Sequence, residues 1–209
     1  MKRIGITQRV EWVKSYGERR DCLDQQWSNF VIKLGGFPLP LANLPAEKVE
    51  QLLTVMQLDG IILTGGNSLT CLNPQAGDTA PERDNFERTL INLALKKNIP
   101  IVGVCRGMQL INLVMAGSLI KISGHVAIKH TIEACSTEFE LPKVVNSFHH
   151  YGISCTGLAE SLLPLACDEV GNIEAFFSTR NNILGIMWHP EREAEFSQFD
   201  MQLFKRFLL

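Results

Sequence analysis

No stretch of this sequence approaches the roughly 18 apolar residues in a row that a membrane-spanning helix needs. Its first residues, MKRIGITQRVEW, lack the apolar core of a secretory leader. Dense basic runs are missing too: 20 Lys and Arg stand against 22 Asp and Glu, a net charge of −2, so nothing draws the chain to a nucleic-acid polymer or an anionic membrane. The six cysteines (Cys22, Cys71, Cys105, Cys135, Cys155, Cys167) never form a CxxC pair. Their scatter argues against a disulfide framework or a thiolate zinc site and fits thiols kept reduced in a cytoplasm. Linkers, repeats and low-complexity segments are also absent, so residues 1–209 are expected to form a single domain with a substantial core.

What is present is an alternation of short apolar runs with helix-length amphipathic stretches over the first 115 residues. RIGIT (3–7), DGIILTGG (59–66) and IPIVGVC (99–105) read as buried strands, and FPLPLA (37–42) as an edge strand because of its prolines. Helices are expected over DCLDQQWSNFVIKLGG, PAEKVEQLLTVMQ (45–57), PERDNFERTLINLALKKN (81–98) and RGMQLINLVMAG (106–117). Residues 119–180 read as shorter, more polar strands and loops. NILGIMWHPERE (182–193) then supplies a last strand, and FDMQLFKRFLL (199–209) a closing helix. Strands apolar on both faces and separated by helices predict an α/β three-layer sandwich, with a mostly parallel central sheet flanked by helices. Its active edge lies at the C-terminal ends of the strands.

Gly103-Val104-Cys105-Arg106-Gly107 places a thiol between a strand and a helix, bracketed by glycines two residues away on each side. This is the nucleophile-elbow pattern with sulfur in place of oxygen. The glycines leave room where strand, helix and nucleophile crowd together, and the helix N-terminus favours thiolate over thiol. The Arg106 backbone N–H is then a natural oxyanion donor. Among the five histidines, His189 follows the strand ILGIM, and Glu191 stands two residues on to hold its second ring nitrogen. Thr64-Gly65-Gly66 ends a buried strand without either phosphate-loop pattern, so its glycine pair is read as turning a second N–H toward the nucleophile. His149 and His150 are adjacent and would face opposite ways on a strand; with no third ligand at a sensible spacing, no metal is expected. Trp188 and Trp12 are read as packing residues.

These motifs resemble those of class I glutamine amidotransferases. GVCRGMQ is similar to their C-x-G-x-Q nucleophile motif, ILTGG to their oxyanion strand and GIMWHPE to their His-x-Glu segment, in matching order over nearly the whole chain. PERDNFE (81–87) and VNSFHHYG (145–152) resemble the branch of γ-glutamyl hydrolases that includes γ-glutamyl-GABA hydrolase. The resemblance implies Cys105 as nucleophile, His189 as general base and acid, and Glu191 as the carboxylate that orients it. Gly66 and Arg106 would form the oxyanion hole. Gly65, Gln109, Asn146, Ser147, Phe148 and His149 would line the substrate site. The reaction implied is hydrolysis of a γ-glutamyl amide through a γ-glutamyl thioester, with no cofactor and no synthetase partner. A homodimer is compatible with it.

Three departures bear on the leaving group. Only Asn67 to Ala80 separate Gly66 from Pro81, Tyr151 stands where relatives often carry glutamine, and the segment 18–24 is dense in charge. Arg19 and Arg20 precede an expected helix N-terminus, a place suited to phosphate. Compact relatives of this type include γ-glutamyl-CDP-amidate hydrolases of capsule phosphoramidate synthesis, which ranks that leaving group first. The alternatives are γ-glutamyl-GABA or another γ-glutamyl amine, a glutaminase subunit that hands ammonia to a synthetase, and a non-catalytic binding protein.

Overall fold

The computed structural model describes residues 1–209. Strand β1 (Arg3–Thr7) is followed by a hairpin, β2 (Arg9–Val13) and β3 (Glu18–Cys22), whose turn contains Gly17 at φ 65°. Helix α1 (Gln25–Leu34) starts where the Asp24 side chain accepts the Gln26 N–H at 2.9 Å and stops at Gly35, φ 99°. Then come β4 (Phe37–Leu41), α2 (Val49–Met56), β5 (Gly60–Leu63), α3 (Pro81–Lys97), β6 (Ile101–Val104) and α4 (Arg106–Val114). The second half adds β7 (Ile120–Lys121), β8 (Val126–Thr131), β9 (Glu133–Ala134), β10 (Val144–Phe148), β11 (Tyr151–Gly152), β12 (Leu163–Cys167), β13 (Ile173–Ser178), β14 (Ile183–Ile186) and α5 (Gln198–Leu208).

Eight strands form one sheet in the order β4-β1-β5-β6-β14-β13-β12-β9. The first five are mutually parallel, and β13, β12 and β9 extend the sheet by antiparallel pairing. This is the mostly parallel three-layer α/β architecture expected, with the proline-bearing strand β4 at one edge. Successive residues of β5 show why these strands are apolar throughout. Ile61 and Leu63 enter the core under α2, α3 and α4, whereas Ile62 enters the opposite core under α1 and α5.

Two local expectations fail. The first helix begins at Gln25 rather than near residue 21, because residues 9–22 form the β2–β3 hairpin. Its outer strand is exposed at four of five positions, so no apolar alternation marks it in the sequence. On the same hairpin Trp12 is 54% exposed and does not pack in a core, whereas Trp188 is buried and donates its indole N–H to Asp200.

The parallel neighbours β5, β6 and β14 all end at the same edge. Their next residues are Thr64-Gly65-Gly66, Cys105 and the Met187-Trp188-His189 run. The sheet therefore brings three sequence-distant loops into one place.

Candidate active site

Cys105 sits at φ 50°, ψ −105°, a conformation an L-residue adopts only when its surroundings impose it. Its N–H donates to the Ile186 carbonyl at 2.8 Å, and its carbonyl accepts the Gln109 N–H, so the turn is pinned to β14 on one side and α4 on the other. A Cβ on Gly107 would lie 2.2 Å from the Leu63 carbonyl oxygen, and one on Gly103 would lie 2.7 Å from the Gly107 carbonyl carbon. Both glycines of the elbow are thus required by close approach.

His189 is buried beside this turn. Its Nδ1 lies 2.7 Å from Glu191 Oε1, and the short helical turn Pro190–Arg192 sets that separation. Nε2 has no hydrogen-bond partner, and Cys105 stands near enough to act electrostatically on the ring. Burial by itself disfavours the imidazolium. The nearness of Cys105 and the hydrogen bond and charge of Glu191 outweigh burial and push His189 up to about 9. A Cβ on Gly65 would stand 2.6 Å from His189 Cε1, so that glycine makes room for the ring.

Arg106 is the first residue of α4, where a backbone N–H has no partner within the helix. Its side chain turns away, into a buried set of ion pairs with Asp84 and Glu87 on α3. Glu87 also accepts from Arg83 at 2.9 Å. Arg83 in turn donates to the carbonyls of Thr64 (2.8 Å), Gly65 (3.1 Å) and Gly66 (2.6 Å). A trans peptide points its N–H opposite to its C=O, so holding the Gly65 carbonyl on the Arg83 side aims the Gly66 N–H to the other side. Burial lowers the Arg83 guanidinium to about 10 against the pull of Glu87, so it stays charged at neutral pH. Reading the sequence assigned no role to Arg83, Asp84 or Glu87. Their signal was present in PERDNFE, where an Arg and a Glu four residues apart share a helix face with Asp84 adjacent.

A cavity of about 190 Å³ lies over Cys105, lined among others by Gly66, Cys105, Arg106, Gln109, Phe148 and His149. Of the expected substrate contacts, Gln109, Phe148 and His149 are brought together here with Cys105 and the expected oxyanion residues. Gln109 donates its amide to the Tyr151 carbonyl at 2.8 Å, which fixes its side chain at the cavity wall. Gly65 lies behind His189 rather than on this wall. Asn146 and Ser147 are not wall residues either. Asn146 is buried and holds the His189 backbone, while the Ser147 hydroxyl donates to the His125 carbonyl at 2.8 Å. Strand alternation turns Ser147 away from the face of Phe148, and Asn146 is drawn off the wall by its two hydrogen bonds to the His189 backbone.

Arg19 and Arg20 are also placed differently. They lie on β3, not ahead of a helix N-terminus; Arg19 pairs with Glu82 and Arg20 with Glu18 at 2.7 Å. The guanidinium beside the active-site loop is that of Arg9, which a Cβ on Gly66 would approach to 3.3 Å. Arg192, stacked 4.3 Å over the Phe148 ring, shares a small cleft with Arg9, Gly66 and His189. His149 and His150 do face opposite ways, one buried and one exposed. The expectation that nothing joins His149 is not met, because folding brings its donor atom within 4.8 Å of those of His125 and Glu174.

Comparison with known proteins agrees with this geometry. The peptidase C26 family matches residues 3–191. A γ-glutamyl-CDP-amidate hydrolase from Campylobacter jejuni is 34% identical over 193 residues, covering 91% of this chain and 90% of that one. A γ-glutamyl-γ-aminobutyrate hydrolase from Escherichia coli O157:H7 is 30% identical, covering 92% and 87%. The crystal structure of a glutamine amidotransferase from Thermotoga maritima shares the fold with a TM-score of 0.67 at 19% identity, covering 98% of this chain and 83% of that one. No helix here is long and apolar enough to cross a membrane. The chain belongs to the peptidase C26 family, in the γ-glutamyl hydrolase branch of the glutamine amidotransferase-like proteins, and is a hydrolase of amide bonds.

Proposed function

We propose that the chain is a free-standing, cysteine-dependent γ-glutamyl amide hydrolase. The observation that carries this reading is the buried set Cys105, His189, Glu191, in which a carboxylate holds one imidazole nitrogen and the strained Cys105 turn stands beside the ring. The Cys105 sulfur attacks the γ-carbonyl carbon, and the carbonyl oxygen takes up charge between the N–H groups of Gly66 and Arg106. The tetrahedral species collapses as His189 gives its proton to the leaving nitrogen, which departs as amine and leaves a γ-glutamyl thioester. His189, now neutral, takes a proton from water; hydroxide adds to the thioester, and glutamate leaves with regeneration of the thiolate.

Among leaving groups, the CDP-amidate is proposed first. Similarity to the Campylobacter jejuni protein runs over nine-tenths of both chains, which supports it. Arg9, paired with Glu11 at 3.1 Å, and Arg192 share one cleft beside His189, which places them better for a pyrophosphate than Arg19 and Arg20 on β3. A place in capsule phosphoramidate synthesis and independence from any synthetase belong to the same proposal. The test is glutamate release from glutamine, γ-glutamyl-GABA, γ-glutamyl dipeptides and γ-glutamyl-CDP-amidate, with Cys105→Ala as control. Highest kcat/KM on the nucleotide, and a KM for it that rises in Arg9→Ala and Arg192→Ala but not Arg19→Ala, supports the assignment. Preference for γ-glutamyl-GABA would replace it with that amine. Full turnover by Cys105→Ala would remove the nucleophile.

A further inference from the structure

Behind the cavity wall lies a second polar cluster that the hydrolytic line does not use. Glu174, on β13, is buried with neither carboxylate oxygen hydrogen-bonded. Around it stand three imidazoles: His149 Nε2 at 3.7 Å and His125 Nδ1 at 3.9 Å from Oε1, and His130 Nε2 at 3.6 Å from Oε2. His125 Nε2 lies 3.4 Å from Asp168 Oδ2. Leaving two carboxylate oxygens and two imidazole nitrogens buried without partners is costly, and a native fold requires a reason for it.

The separations supply the reason. A hydrogen bond between these atoms would bring them to about 2.7–3.2 Å. Two ligand atoms each about 2.0–2.1 Å from one tetrahedral zinc stand about 3.4 Å apart, close to the observed spacing. At His149, Nδ1 lies 3.1 Å from the Tyr151 carbonyl, which can only accept, so Nε2 is the nitrogen left to meet an ion beside Glu174.

We propose that His125, His149 and Glu174 bind one zinc-class divalent cation. Asp168 holds the far nitrogen of His125, and the Tyr151 carbonyl that of His149, the outer partners a metal-bound imidazole commonly has. The Ser147 hydroxyl, 3.4 Å from His125 Nδ1, already donates to the His125 carbonyl and leaves that nitrogen free. A cavity of about 440 Å³ lined by His125, His130 and Asp168 gives an ion a route in. The ligands come from the ends of β8 and β10 and from the central strand β13. The ion would therefore tie the segment bearing Asn146, Phe148 and His149 to the sheet behind it, as a structural site distinct from the hydrolytic line.

The test is metal binding by the full chain after chelator treatment, read by calorimetry with ZnCl2 and by visible absorption with CoCl2. One equivalent of Zn2+ is expected, with Co2+ bands of a nitrogen- and oxygen-ligated ion and no thiolate charge-transfer band. Glu174→Gln should abolish stoichiometric binding, and Asp168→Asn should weaken it about 10–100-fold. Cys135 and Cys167, whose sulfurs lie 2.9 Å apart nearby, are the competing soft site, and their double Ser variant should bind as the parent does. The Co2+ spectrum of the parent needs no variant to fold. Absence of stoichiometric binding in the parent, a thiolate band, or loss of binding in the Ser variant would each overturn the proposal, whatever the hydrolase activity proves to be.

Discussion

Asn146 grips the backbone of His189 from both sides: its Oδ1 accepts the His189 N–H at 2.8 Å and its Nδ2 donates to the His189 carbonyl at 2.8 Å. The same Nδ2 reaches Glu193 at 2.8 Å, so the side chain is fully engaged within the protein. If His189 is the general base and acid proposed, a residue that sets the height of its imidazole should act on kcat rather than on substrate affinity. Asn146→Ala is expected to lower kcat about 100-fold with KM nearly unchanged, as small displacements of catalytic groups do. Steady-state glutamate release checks it. A raised KM with kcat retained would return Asn146 to the role of substrate contact.

The raised pKa of His189 has a definite sign in pH dependence. A folded value near 9, above the ordinary 6.5, means that the pairing stabilises the fold fully below about 6.5 and is lost as pH rises through about 9. The alkaline limb of kcat/KM should therefore fall near pH 9. Because Glu191 is one of the groups holding the proton, Glu191→Gln should move this limb to lower pH. Cys105→Ala, which removes the sulfur beside the ring, should lower the His189 midpoint seen by NMR. An unchanged His189 midpoint in both variants would show that neither group raises it.

The elbow, the His-Pro-Glu turn and the glycine pair were legible in the sequence because each is a local signal: glycines at fixed offsets, or a carboxylate two residues from an imidazole. The parallel sheet was legible from unbroken apolar runs such as IILTG and IVGV, whose meaning needs no partner. The β2–β3 hairpin was not, since strand β3, ERRDC, offers no alternation. Nor was the association of His125, His149 and Glu174, separated by up to 49 positions and joined only when β8, β10 and β13 pack. Asn146 was placed in the right segment but read as a substrate contact, because its hold on the His189 backbone joins residues 43 positions apart that meet only in the fold.

Gly65 tests how closely the imidazole is fitted. A Cβ there would stand 2.6 Å from His189 Cε1, yet the residue does not adopt a positive φ and the atom it would strike belongs to a side chain. Gly65→Ala should therefore fold, with its thermal midpoint close to the parent's, while the ring is pushed off Cys105 and activity falls by about 100-fold or more. Gly107→Ala is the contrast, since its Cβ would meet the Leu63 carbonyl oxygen at 2.2 Å and neither backbone can move freely. It is expected to lose soluble folded protein outright. Equal loss of folding in both variants would show that the Gly65 site is governed by backbone packing and not by the imidazole.

Arg83 connects the buried ion pairs of α3 to the oxyanion loop, and its two contributions separate by substitution. Arg83→Met removes the charge, leaving Glu87 with Arg106 as its remaining cation and three loop carbonyls without their donor; breaking such a buried pair costs about 3–5 kcal/mol. Arg83→Lys keeps the charge beside Glu87, but a single ammonium cannot span Thr64, Gly65 and Gly66 as the planar fork does. It should lose less stability than the Met variant in thermal unfolding. It should still lower kcat about 10–100-fold with KM little changed, because the Gly66 N–H is no longer aimed by its neighbour's carbonyl. A Lys variant with the parent's kcat would mean that the Gly65–Gly66 peptide holds its orientation without Arg83, and the oxyanion role would then rest on the turn itself.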